Sequence, residues 1–206
     1  MYVGLALIGG FFDRLDDFSA NWWFLLVIAV IAYFDSVIPI VPSETCVIIG
    51  GVAAAIGHYP LPAVIAAGAV GAFLGDNTAY AIGFRAGGWF ERRAARKPKS
   101  AARLTWAKEQ IHERGGMLLV TARFIPGGRT ALTVSSGVTR QPKAWFVGWI
   151  ALAVVIWASY AGILGFIGGK AFEDDHTKAF LVAFGTAIGA NVLIETVRHF
   201  RKKRHV

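Results

Sequence analysis

Long apolar runs alternate with short polar segments along this chain. Residues 149–169 and 179–194 contain no charged side chain, and about 20 apolar residues suffice for a helix to cross a bilayer. Residues 61–84 are equally apolar except for Asp76. The pattern predicts spanning helices in these regions, and the final one is expected to cover residues 179–197.

The N-terminal part contains one more apolar run, residues 21–34, which ends just before Asp35. The preceding residues 1–20 begin apolar but lack the basic start and small-residue cleavage site of a signal peptide. We expect this segment to be retained and to lie at the membrane interface.

Two further apolar regions contain helix-breaking residues. Residues 36–57 contain Pro39 and Pro42, and residues 117–138 contain Pro126 followed by two glycines. Proline removes a backbone donor and clashes with the preceding helical turn. Because broken backbone at membrane depth survives only when buried in protein or lining a water-filled cavity, both regions are predicted to be re-entrant hairpins.

The composition favours a membrane protein over a soluble domain. Of the 206 residues 55% are hydrophobic, and the formal net charge is +8. The length allows only a handful of spans, so we predict a single membrane domain. The only cysteine, Cys46, excludes an intrachain disulfide, and the five histidines lack the spacing of a metal site. No metal or cofactor is expected.

The distribution of basic residues predicts the topology. The connection 85–116 and the tail 198–206 are rich in lysine and arginine, so the positive-inside rule places both in the cytoplasm. The hairpin 117–138 then enters from the cytoplasm, and the hairpin 36–57 opens to the outside. Simple topogenic charge explains the basic connection, docking on anionic lipid is the alternative, and no motif supports nucleic-acid binding.

A short internal match relates the two hairpins. When Glu44-Thr45 is aligned with Arg129-Thr130, Gly50-Gly51 falls opposite Ser135-Ser136. Because the hairpins are predicted to enter from opposite sides, the match indicates an inverted repeat, an arrangement that holds a substrate near mid-membrane.

The predicted fold is therefore an all-α polytopic membrane protein, an inverted repeat with two opposed re-entrant helical hairpins plus spanning helices. Its first repeat covers residues 21–84 and its second covers residues 117–169.

Five ionisable residues are expected at membrane depth, where charges are costly and rarely unpaired. They can form structural salt bridges, or they can build a functional site. An arginine fork suits phosphate, the glycines before the second arginine let backbone amides approach an anion, and paired carboxylates can exchange protons. The five residues are Asp35, Glu44, Asp76, Arg123 and Arg129, and the glycines are Gly127 and Gly128.

Two other residue classes are assigned structural roles. Small residues are predicted to allow close helix packing, and tryptophans are expected to be interfacial or lipid-facing. The small residues are Gly68, Gly71, Gly75, Gly83 and Gly87, and the tryptophans are Trp22, Trp23, Trp145, Trp149 and Trp157.

Three segments taken together resemble a known family. They are Pro42-Ser43-Glu44, the run Gly-Asp-Asn-Thr-Ala-Tyr-Ala-Ile-Gly at residues 75–83, and Ala-Arg-Phe-Ile-Pro-Gly-Gly-Arg at residues 122–129. The chain resembles the DedA family of bacterial membrane proteins, which shares the VTT domain with eukaryotic lipid scramblases. The resemblance implies facing re-entrant hairpins and a role in returning undecaprenyl phosphate across the bacterial cytoplasmic membrane.

Carried over by position, the family's acidic pair falls on Glu44 and Asp76, and its arginine pair falls on Arg123 and Arg129. Asp35 matches no motif. The leading hypothesis is a proton-linked flippase for a polyprenyl phosphate, in which the arginines hold the phosphate and the acids exchange protons. The alternatives are a passive phospholipid scramblase, a membrane scaffold, and a small-ion or proton exchanger. An enzyme is disfavoured because no nucleophile and base pair occurs in the hairpins, and the sequence leaves the oligomeric state open.

Overall fold

The computed structural model describes residues 19–38, 43–96, 115–124 and 128–171, with a few isolated positions between 98 and 111. The predicted last span and basic tail, most of the N-terminal segment and part of the basic connection lie outside the described residues. So do all three hairpin prolines and Gly127.

The described residues form helices and contain no strand, which confirms the all-α class. Six α-helices and one short 3-10 helix follow in chain order. They are α1 (Trp23–Val37), α2 (Ser43–Ala55), α3 (Leu61–Ala95), α4 (Met117–Thr121), the 3-10 helix (Ala122–Phe124), α5 (Gly128–Val138) and α6 (Lys143–Ala171).

Two of the described helices are long and apolar enough to cross a membrane. The qualifying segments are Leu61–Trp89 of α3 and Lys143–Ala171 of α6, each of 29 residues. At 1.5 Å per residue, a 29-residue helix extends about 44 Å, more than the roughly 30 Å of a hydrocarbon core. The predicted spans 61–84 and 149–169 lie inside these segments.

The proline-containing regions are divided as predicted. Helix α1 ends at Val37 and α2 begins at Ser43, while the 3-10 helix separates α4 from α5. Helix α2 has 13 residues and α5 has 11, which correspond to about 20 Å and 17 Å. Both are too short to span a bilayer, and their re-entrant course stays a prediction.

Contacts divide the chain into two compact units. Unit 1 comprises Met1–Leu26, Glu44–Val64 and Tyr160–Val206, and unit 2 comprises Val27–Ser43 and Ile65–Ser159. Within unit 1, α2 packs against the second half of α6. A Cβ added at Gly51 would overlap the carbonyl oxygen of Gly162, so this contact requires glycine.

Within unit 2, α3 packs against α1 and α5 through its glycines. A Cβ at Gly71 would overlap the carbonyl oxygen of Ala29 in α1, and one at Gly83 would overlap the carbonyl oxygen of Val134 in α5. The predicted close packing by small residues is confirmed for these positions. Such contacts let helix backbones approach each other closely.

The same contact pattern occurs in each unit with a constant register. In unit 1 helix α2 packs on α6, and in unit 2 helix α5 packs on α3. The matching contacts are Ile48–Gly165 with Val134–Gly83, Gly51–Gly162 with Gly137–Tyr80, and Val52–Gly169 with Val138–Gly87.

This register differs by one residue from the alignment drawn from the sequence, and the inverted repeat itself stays a prediction. The helix contacts make Gly51 correspond to Gly137, whereas the alignment on Glu44 and Arg129 makes Gly51 correspond to Ser136. The sequence match was anchored on charged residues, whereas the packing is anchored on the glycines that touch a neighbouring helix. In the register of the helix contacts, Arg129 would correspond to Ser43.

Candidate functional site

Four of the predicted membrane-depth charges lie together in unit 2. Asp35 is near the end of α1, Asp76 lies within α3, Arg123 is in the 3-10 helix, and Arg129 is in the first turn of α5. The two arginines and two aspartates balance in formal charge. We call these four residues the charge cluster.

The Arg123–Asp76 pair is the buried centre of the cluster. Nη1 of Arg123 donates to Oδ2 of Asp76 at 2.5 Å, and both side chains are fully buried. A buried ion pair is stable only if its geometry compensates for the loss of water. Each partner therefore depends on the other remaining charged.

Arg129 connects the cluster to the end of α1. Its Nη2 donates to the main-chain oxygen of Asp35 at 2.5 Å and lies 3.1 Å from the Asp35 carboxylate. The next residue, Thr130, donates from Oγ1 to the main-chain oxygen of Ser36 at 3.2 Å. The last carbonyls of a helix lack partners within it and attract cations, so the first turn of α5 caps α1.

The Asp35 carboxylate has a second contact, because the hydroxyl of Ser43 at the start of α2 donates to Oδ2. Arg129 also reaches towards Asp76, with 3.9 Å between Nε and Oδ1. Arg129 thus contacts the side chains of both aspartates and holds them in one cluster.

The motif at residues 75–83 fixes the position of Asp76 on α3. Gly75 packs against Tyr33 and Ser36 of α1. Tyr80 donates from its hydroxyl to the main-chain oxygen of Gln141 at 2.6 Å. It also stacks on Phe146 with ring centroids 4.4 Å apart. These contacts hold α3 on either side of the carboxylate.

Several buried polar atoms of the cluster have no hydrogen-bond partner among the described residues. They include Nε and Nη2 of Arg123, Nε of Arg129 and Oδ1 of Asp76. Nε and Nη2 form one edge of the Arg123 guanidinium, and two parallel donors on one edge match the oxygens of a phosphate or carboxylate. The cluster thus presents a buried fork suited to an oxyanion.

Thr133 adds a neutral polar group on α5. It lies one helical turn after Arg129 and so on the same face of the helix. Its side chain is 1% exposed, and Oγ1 has no hydrogen-bond partner among the described residues. By contrast, the hydroxyl of Ser136 bonds back to the carbonyl of Leu132 at 2.8 Å. The Thr133 hydroxyl is therefore a buried polar group on the Arg129 face of α5 whose hydrogen bond is not made within the described residues.

Trp157 corrects the expectation that this tryptophan is interfacial or lipid-facing. It is 4% exposed, and its ring centroid lies 5.0 Å from Cζ of Arg123. A buried indole in this position makes a cation–π contact with the guanidinium. No sequence signal marks this role, because every position in an apolar run of this length looks alike.

The remaining predicted site residues have different positions. Gly128 begins α5 and is half-buried, whereas Gly127 lies outside the described residues. Glu44 is half-buried in the first turn of α2 and belongs to unit 1. Its role as a proton-exchanging partner stays a prediction. In unit 2 it is Asp35, the residue that matched no motif, that pairs with Arg129.

Comparison with known proteins places the chain among bacterial membrane proteins. Inner membrane protein YohD of Escherichia coli is 28% identical over 168 residues, covering 79% of this chain and 84% of that protein. Uncharacterized membrane protein Rv0364 of Mycobacterium tuberculosis is 27% identical over 184 residues, covering 86% of this chain and 81% of that protein. Undecaprenyl phosphate transporter A of Bacillus subtilis is 27% identical over 139 residues, with 66% and 70% covered. No solved structure matches.

The VTT domain model matches residues 41–168, well over half of the chain. The matched segment contains Glu44, Asp76, Arg123 and Arg129, the residues that the motifs pointed to. The chain therefore belongs to the VTT domain family, and the DedA resemblance is confirmed.

Proposed function

We propose that this protein transports a lipid with an anionic phosphate headgroup, a polyprenyl phosphate, across the bacterial cytoplasmic membrane. The observation that carries the proposal is the edge of Arg123, whose Nε and Nη2 are buried and without a protein partner among the described residues. An unpaired donor edge at an apolar depth is costly. A headgroup oxyanion would satisfy both donors at once.

The neighbouring groups suit the rest of a phosphate. Nε of Arg129 and Oγ1 of Thr133 are further buried polar atoms without a hydrogen-bond partner in the described part of the chain. Gly128 begins α5 directly before Arg129, and the start of a helix favours negative charge. A phosphate has more oxygens than the Arg123 edge can bind, and these groups supply the additional donors.

The balance of charge supports proton coupling. The two arginines are already neutralised by two aspartates, so an entering phosphate would leave the cluster with a net negative charge in a poorly solvated place. Protonation of a carboxylate restores neutrality, and Oδ1 of Asp76 has no hydrogen-bond partner among the described residues. The family resemblance adds Glu44 as the second proton-exchanging acid.

The proposed path uses two opposed re-entrant hairpins in an inverted repeat, with the C-terminus in the cytoplasm. Two observations support this arrangement. Helices α2 and α5 are too short to span a bilayer, and the same contact register recurs in each unit. In such transporters the substrate site lies between repeats near mid-membrane. The hairpins would then open the site to one side of the membrane at a time.

The identity of the lipid rests on one relative. A protein named undecaprenyl phosphate transporter A shares 27% identity with this chain over 139 residues. The family and this name indicate a membrane transporter rather than an enzyme. A polyprenyl phosphate is consistent with the chemistry of the cluster, because its headgroup is a phosphate monoester.

The test uses proteoliposomes containing a fluorescent polyprenyl phosphate or fluorescent phosphatidylcholine, with and without an imposed pH gradient. We expect the gradient to accelerate transport of the phosphate lipid only. We expect the Arg123→Gln variant to transport no phosphate lipid. Arg140→Gln is the matched control, because Arg140 is exposed and lies over the ring of Phe84 outside the cluster. Gradient-independent movement of both lipids would refute coupling and support a scramblase, and proton flux without lipid movement would support an exchanger.

A further inference from the structure

Two side chains contact the Arg123 guanidinium, the carboxylate of Asp76 and the aromatic ring of Trp157. Asp76 accepts a hydrogen bond from Nη1, and the Trp157 ring lies over the guanidinium with its centroid 5.0 Å from Cζ. Only the edge formed by Nε and Nη2 then remains for a ligand, and neither atom has a hydrogen-bond partner in the described part of the chain. A guanidinium restrained in this way cannot turn its unpaired edge away from the site.

The two contacts to Arg123 come from the two long helices, with Asp76 on α3 and Trp157 on α6. The register that matches Tyr80 with Gly162 and Gly83 with Gly165 also matches the pair Gly75-Asp76 with the pair Trp157-Ala158. In this register Trp157 corresponds to Gly75 and Asp76 corresponds to Ala158, so the two residues that contact Arg123 are one position apart and are not counterparts. Each helix provides one half of the support for this arginine.

We propose that Trp157 is a positioning residue for headgroup binding, which orients the edge of Arg123 towards the oxyanion. The proposal rests on the proposed function. The indole restrains the guanidinium by a cation–π contact, and a ligand that must itself order a side chain as rotamer-rich as arginine binds up to about tenfold more weakly. Trp157 acts through Arg123 and does not itself bind the phosphate.

Two substitutions separate the π-electron contact from simple packing. Trp157→Phe keeps an aromatic face with a weaker cation–π contact, whereas Trp157→Leu removes it. Trp149→Leu is the control on the same helix, because the Trp149 ring lies against Gly116. The probe is farnesyl phosphate, a short polyprenyl monophosphate, whose affinity for the purified full-length protein in detergent is measured by calorimetry.

We expect Trp157→Leu to weaken binding of farnesyl phosphate about tenfold and Trp157→Phe only about threefold, because the aromatic face that restrains Arg123 is kept in Trp157→Phe. Trp149→Leu should bind as the wild type does. Equal losses for Trp157→Phe and Trp157→Leu, or an unchanged affinity for Trp157→Leu, would overturn the positioning role.

A double-mutant cycle on the ligand-free protein distinguishes this proposal from the proposed function. The melting temperature is measured for Trp157→Leu, Arg123→Gln and the double variant. If Trp157 holds Arg123, the loss caused by Trp157→Leu becomes smaller in the Arg123→Gln background, since contacting residues are not additive. Additive losses would overturn the proposal even if lipid is transported. A wild-type protein that does not bind farnesyl phosphate would instead overturn the proposed function, while the cycle still decides whether Trp157 holds Arg123.

Discussion

Replacing Asp76 by asparagine tests whether the charge cluster is a coupled unit. The side chains of Asp76 and Arg123 are both fully buried and 2.5 Å apart. Removing one charge of a buried pair leaves the other uncompensated and costs about 3–5 kcal/mol. For a chain of this size, that loss corresponds to a fall in melting temperature of about 10 °C.

Asp35→Asn provides the matched comparison. The Asp35 and Arg129 side chains are 15% and 11% exposed, and Arg129 would keep its bond to the main-chain oxygen of residue 35. The expected loss is therefore about 1 kcal/mol, well below that for Asp76→Asn.

The assay is thermal unfolding of the purified protein in detergent, followed by intrinsic fluorescence. The double variant Asp76→Leu with Arg123→Met should recover most of the stability lost by Asp76→Asn, because an apolar pair can replace a buried ion pair at little cost. It should nevertheless transport no lipid. The reasoning is refuted if Asp76→Asn melts with the wild type, or if the double variant is less stable than Asp76→Asn.

Three further substitutions test other parts of the account. Gly83→Ala should destabilise the protein by about 1–3 kcal/mol, because the new Cβ would overlap the carbonyl of a neighbouring helix. Gly148→Ala, on an open face of α6, should be tolerated. Equal falls in melting temperature for the two variants would contradict this prediction. Thr133→Val should slow transport of the phosphate lipid with little change in stability, and Thr133→Ser should restore it; full transport by Thr133→Val would exclude a ligand contact. Tyr80→Phe should cost about 1 kcal/mol by removing its bond to the Gln141 carbonyl, and an unchanged unfolding free energy would show that stacking alone holds the ring.

The breaks in the fold could be predicted from the sequence because their cause is local. Proline cannot continue a helix past the preceding turn, so the ends of α1 and α4 follow from the positions of three prolines and their neighbours. The long apolar segments of α3 and α6 could also be predicted from the sequence, since length and composition alone make a helix able to cross a bilayer.

The grouping of charges and the pairing of Asp76 with an arginine were predictable, but the partner of Arg129 was not. Isolated charges at membrane depth are costly, so arginines and acids were expected to meet. The sequence suggested Glu44 and Asp76 as arginine partners, whereas in unit 2 Arg129 binds Asp35. That pair depends on the start of α5 meeting the end of α1, a tertiary contact that no local pattern encodes.

The supporting residues were the hardest to predict. Trp157 lies in a run that is apolar throughout, so no periodicity distinguishes a buried ring from a lipid-facing one. Thr133 carried a weak signal, because a polar residue one turn after Arg129 lies on the same face of a helix. Both roles became visible only through burial and distance.

Equilibrium binding of a polyprenyl phosphate by the wild type and by Arg123→Gln tests the central claim most directly. Native mass spectrometry of the protein in detergent can measure it, with phosphatidylcholine as a competing lipid. Two buried donors of Arg123 have no hydrogen-bond partner among the described residues; in the proposed complex both bind the oxyanion, and hydrogen bonds to charged groups contribute about 1.5–3 kcal/mol each. The account predicts selective binding of the phosphate lipid by the wild type and at least a hundredfold loss in Arg123→Gln, about 3 kcal/mol or more. Equal binding by both proteins, or no preference for the phosphate lipid, would contradict it.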